Sequence, residues 1–107
     1  MHWNGTKWSV VPSPNVSSFG DYLVGVAAVS ASNVWVVGAY YTGTGFNTQT
    51  LIEHWNGTKW SVVLSPNVGA NDALYGVARV PGSSNLWAVG YYFISSNIGR
   101  TLTEFYC

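Results

Sequence analysis

Charged side chains make up only 7% of this 107-residue chain, against about a quarter of an ordinary soluble domain. Lys7, Lys59, Arg79 and Arg100 are balanced by Asp21, Glu53, Asp72 and Glu104. With no basic patch, the counterion release that drives nucleic-acid binding has no source, so no nucleic-acid partner is expected. No polybasic segment is present to hold an anionic membrane surface. The apolar runs are short and broken by Gly and Ser, far below the roughly 20 residues of a membrane helix. No membrane partner is therefore expected. MHWNGTKW has no charged segment leading into an apolar one, so a signal peptide is not expected, and the compartment stays open.

Cysteine is nearly absent too. Cys107 stands alone, so no internal disulfide can form, and no base is placed to activate its thiol. The sequence has no nucleophile–base–acid set, no phosphate-binding loop and no Cys/His metal spacing. We therefore expect no enzyme, no cofactor and no metal site. Helical periodicity is also missing, while Val, Trp, Tyr and Thr dominate, which is strand chemistry.

What the chain has instead is a repeat. HWNGTKWSVV occupies residues 2–11 and returns unchanged at 54–63. Residues 2–16 match 54–68 with one difference, Pro12 against Leu64. GVAAVSASNVWVVGAYY (25–41) is echoed by GVARVPGSSNLWAVGYYF (76–93), and TLIEHWN (50–56) by TLTEFYC (101–107). One unit reads as four short strands: LVGVAAV, VWVVGAYY, TLIEHW and KWSVV. Asn-Gly between the last two is a strong hairpin signal. The fold class expected is all-β, with antiparallel four-stranded units.

A four-stranded unit with two apolar faces needs neighbours on both sides, and about 50 residues with four strands is the period of a propeller blade. NVWVVGAYY followed by TLIEHWNGTKWSVVLSP resembles the kelch repeat, with Gly38 and Gly90 at the family's first glycine and Trp8 and Trp60 at its fourth-strand tryptophan. The match departs at the second glycine, which is Ala39 in one copy and Tyr91 in the other. The resemblance implies β-propeller blades, with Trp8, Trp35, Trp60 and Trp87 packing blade on blade. A β-sandwich is the structural alternative.

Under the blade order, residues 1–107 form a single two-blade segment. Residues 1–12 supply the outer strand of a shared blade, 22–64 a complete blade, and 74–106 three strands of another shared blade. Two blades cannot close a ring, so the expected partner is the chain itself. A head-to-tail homotrimer would give six blades and a homotetramer eight. Trp8, Val10, Leu102, Glu104 and Tyr106 are the expected inter-chain contacts that complete the shared blade. Met1 and His2 compete with the chain's other end for one place and are expected to peel away, while TLTEFY stays in its sheet.

The blade order also puts the long connections 12–22, 42–49, 65–74 and 94–100 on one face. Asp21, Asp72, Phe19, Phe46, Asn47, Asn71 and Asn97 are the candidate ligand residues there. Aromatics beside Asn, Ser and Thr suit neutral glycans, so carbohydrate is the leading class if a ligand binds, with loop anchoring the preferred reading of the aromatics. For Asp21 and Asp72, the alternatives are a cation or polyol site and an Asx-type turn in which each Asp bonds its own backbone, the preferred reading. His2 and His54 read as packing residues, because the third copy of their position is Phe105. Asn4-Gly5-Thr6 and Asn56-Gly57-Thr58 match a glycosylation sequon but are the hairpin turn itself. The functional expectation is a non-enzymatic self-assembling binding scaffold. The alternative is a designed or truncated propeller fragment with a purely structural role and no ligand.

Overall fold

The structure is a computed structural model that describes residues 1–43, 47–67, 70–95 and 98–106. Phe46, Asn97 and Cys107 lie outside the described residues. The chain is all-β, and every sheet in it is antiparallel. β1 (His2–Trp3) and β2 (Trp8–Ser9) form a small ribbon. A four-stranded sheet then runs in the order β3 (Asp21–Ser30), β4 (Asn33–Tyr41), β5 (Thr48–Trp55), β6 (Trp60–Val63). A three-stranded sheet follows in the order β7 (Ala70–Arg79), β8 (Leu86–Ser95), β9 (Ile98–Tyr106).

The repeated hairpin turn explains its own letters. Asn4 Oδ1 accepts from the amides of Thr6 and Lys7, and Asn56 Oδ1 accepts from those of Thr58 and Lys59. Gly5 and Gly57 take φ of 96° and 97°, where a side chain would be strained. Across each turn a pair of tryptophans meets, Trp3 with Trp8 and Trp55 with Trp60.

Residues opposite one another in a ladder share a face. In the first sheet Trp35 lies opposite His54 and Val37 opposite Ile52. This face packs on the second sheet, whose β7 crosses β3, β4 and β5. Val37, Leu74, Ala88 and Leu102 form the shared core, with Ile52, Val77 and Tyr92 against it. Trp35 also stacks on Tyr106 of the second sheet, ring centroids 4.6 Å apart.

Two connections are shorter than the sequence pattern suggests. β8 runs on to Ser95 and β9 resumes at Ile98, so 94–100 is largely strand rather than loop. Likewise β7 begins at Ala70, which places Asp72 within the strand. Both extensions pass register irregularities, at Phe93/Ser95 and Ala70/Ala73, and Asn71 takes a positive φ of 57°. Asn is among the few non-glycine residues that adopt this conformation readily. Strand propensity alone does not foretell such breaks.

Candidate functional site

The two sheets are copies of one unit, and one of them is short of a strand. β3, β4 and β5 correspond to β7, β8 and β9, but among the described residues nothing pairs with the outer edge of β9 as β6 pairs with β5. Residues 8–11, Trp-Ser-Val-Val, are identical to β6. They lie outside the main sheets, with only Trp8 and Ser9 paired to β1. Trp8 and Val10 are exposed.

Beside the open edge lies a cavity of about 400 Å³ between the two sheets. Val37, Ile52 and Val63 line it from the first sheet, and Ala88, Glu104 and Tyr106 from the second. Leu102, one ladder step further in, is buried in the core. Leu102, Glu104 and Tyr106 thus line one face of β9, which points towards the first sheet. Trp8 and Val10 are not brought to them within the chain.

Duplicated positions differ sharply in exposure. Trp35 is 7% exposed and Val37 1%, whereas their counterparts Trp87 and Val89 are 47% and 48% exposed. The opposite faces reverse the pattern, since Leu74 is fully buried while its counterpart Leu23 is 44% exposed. The first sheet opens that face only on its flanking strands, where Leu23, Val26 and Val62 are exposed, while Val36, Leu51 and Glu53 between them are buried. Tyr75 and Phe105 widen the exposed face around Trp87 and Val89.

A polar clasp ties β5 to the segment after β6. Asn67 Oδ1 accepts from the Thr50 amide at 2.9 Å and from the Thr50 hydroxyl at 3.1 Å, and the Ser65 hydroxyl bonds that same hydroxyl. Thr50 is buried as a result. Its counterpart Thr101 is exposed on β9, and Ser13-Pro14-Asn15 repeats Ser65-Pro66-Asn67. The identical Ser-Pro-Asn triplets and the Thr-Leu pairs at 50 and 101 carried this signal in the sequence. It was missed because the partners lie 15 and 17 residues apart.

The loop candidates are mostly occupied in holding backbone. Asp21 accepts from the amides of Val16 and Ser17, which lie before it in the preceding loop. Asp72 is fully buried. Asn71 Oδ1 accepts from the Thr48 amide, and the carbonyl of Asn47 accepts from the Thr42 amide. Phe19 is exposed. His54 stacks on Trp35 at 4.4 Å and shares Asn33 Oδ1 with the Trp35 indole N–H.

Two carboxylates are the unusual groups: Glu53, which the sequence reading missed, and Glu104, which it placed only as an inter-chain contact. Glu53 is only 1% exposed, and burial, aided by the charge of Asp21, pushes its pKa up to about 7 from 4.5. Its counterpart Glu104 is raised for the same reason, with Asp72 adding to it. Glu53 Oε1 and Glu104 Oε2 are buried without a hydrogen-bond partner. Among the described residues, no group of three or more His, Cys, Asp or Glu could hold a metal ion.

These features define the class: an all-β chain of two copies of one antiparallel unit, the second with an open outer edge. No protein-family model, curated protein or solved structure matches the chain.

Proposed function

We propose that this chain is a self-assembling β-propeller scaffold in which copies associate head to tail into a closed ring of three or four. The observation that carries this reading is the unequal exposure of duplicated positions, Trp87 and Val89 open where Trp35 and Val37 are buried. The exposed face of the second sheet meets the next copy's first sheet on the side where Leu23, Val26 and Val62 are exposed, repeating the packing that already joins the two sheets of one chain. Such a contact is heterologous, and it ends only when the ring closes. Burying a Val or Trp side chain contributes about 1.5–3 kcal/mol or more, so several at one interface are enough to hold copies together. The scaffold performs no chemistry of its own, and its longer connections lie on the ring surface.

Native mass spectrometry tests this. The expected species is three or four times the 11.6 kDa of one chain, with no ladder of open oligomers. A folded species of 11.6 kDa at micromolar concentration overturns it.

A further inference from the structure

We propose that the cavity beside β9 is the seat for residues 8–15 of a second copy of this chain, held in one register by a repeated polar clasp. The inference rests on the assembly reading and fixes which atoms meet.

The chain contains its own template. In the first sheet β6 pairs with β5 as Trp60 opposite Trp55, Ser61 opposite His54, Val62 opposite Glu53 and Val63 opposite Ile52. The same sequence sits at 8–11, and the positions corresponding to β5 are Tyr106, Phe105, Glu104 and Thr103. Transferring the ladder puts Trp8 opposite Tyr106 and Val10 opposite Glu104. Both incoming side chains then share the face of Tyr106 and Glu104, which line the cavity. Among the described residues no fourth strand follows β9 beside the cavity.

The segment that follows supplies the lock. The incoming Asn15 accepts from the Thr101 amide and hydroxyl as Asn67 accepts from those of Thr50, with Ser13 taking the place of Ser65. Edge strands offer open backbone groups that invite pairing of this kind. A slip of one residue would turn Val10 away from the cavity, and a slip of two would leave Asn15 out of reach of Thr101. His2 and Trp3 occupy the edge of β2 that Phe105 and Tyr106 would use, so β1 is released when the strand is donated.

Two full-length chains in a Cys107→Ser background test the register, one carrying Val10→Cys and the other Glu104→Cys. Mixed and mildly oxidised with glutathione disulfide, they should yield a covalent heterodimer at least ten-fold faster than Val10→Cys with Leu102→Cys, because directly opposed Cβ atoms suit a disulfide and diagonal ones do not. Asn15→Ala should weaken assembly about ten-fold with the fold of each chain intact by circular dichroism. If rings form but the two pairs cross-link equally, or Asn15→Ala leaves assembly unchanged, the seat is wrong while the assembly stands. If the unmodified chain stays monomeric, both fall.

Discussion

Glu53 is the residue whose environment departs furthest from what its chemistry prefers. Its carboxyl is buried, one oxygen lacks a partner, and its pKa of about 7 lies well above 4.5. The native state therefore holds a proton that the unfolded chain releases as pH rises from about 4.5 to 7. Stability is full below that window, falls through it, and is flat above it. Urea denaturation should place the wild-type midpoint higher at pH 5 than at pH 8. Glu53→Gln should reduce that slope, leaving the part that Glu104 carries, and gain up to about 3 kcal/mol at pH 8, the ceiling set by the pKa shift. An unchanged slope in Glu53→Gln would mean that another group carries the pH dependence. Nothing in the letters around Glu53 marks it, since TLIEHW reads as an ordinary strand. Its burial comes from its place in the centre of the sheet, opposite Val36 and Val62, and strand order is a tertiary fact. Asp21 was not legible either. Its carboxylate accepts from amides four and five residues earlier in the loop rather than closing an Asx-type turn on its own backbone.

At the scale of the strand, the inner edge of each sheet is shaped by a glycine. A Cβ added at Gly38 would lie 1.9 Å from the Tyr22 carbonyl oxygen, and one at Gly90 would lie 1.8 Å from that of Ala73. In both sheets the inner strand breaks register beside that glycine, between Leu23 and Gly25 and between Leu74 and Gly76. The bulge pushes backbone over the neighbouring strand, and only a residue without a side chain lets it approach. Gly38→Ala should cost about 3 kcal/mol, seen as an earlier urea midpoint. A loss below about 1 kcal/mol would mean that the bulge can relax. The glycines themselves stood out because they recur in both copies after Val-Trp-Val-Val and Leu-Trp-Ala-Val. The strands were legible too, since β-branched and aromatic residues run between turn signals, and Asn-Gly marks the β5–β6 hairpin. The starts of β7 and β9 were not. Asn, Asp and Gly at 71, 72 and 99 look like loop, yet Asn71 and Asp72 lie in an irregularity within β7 and Gly99 pairs with Phe93.

The whole molecule is less compact than its length allows, with a radius of gyration of 14.5 Å against about 13 Å for a globular chain of this size. The excess fits a body with one face of the second sheet open and a hairpin outside the main sheets. Duplication makes this testable inside one chain, because Val37 and Val89 are equivalent in sequence and opposite in exposure. A charge placed on a face that is always buried unfolds the chain, whereas one placed on a face covered only by association separates the copies. Val37→Asp should therefore lose the folded state, with no cooperative urea transition at 25 °C. Val89→Asp should keep the strand signal and melt as a single chain of 11.6 kDa by light scattering. If Val89→Asp still forms rings, the open face is not the interface, and the copies must be held by the edge of β9 alone. If it unfolds like Val37→Asp, the second sheet needs that face for its own folding, and assembly and folding are one event in this chain.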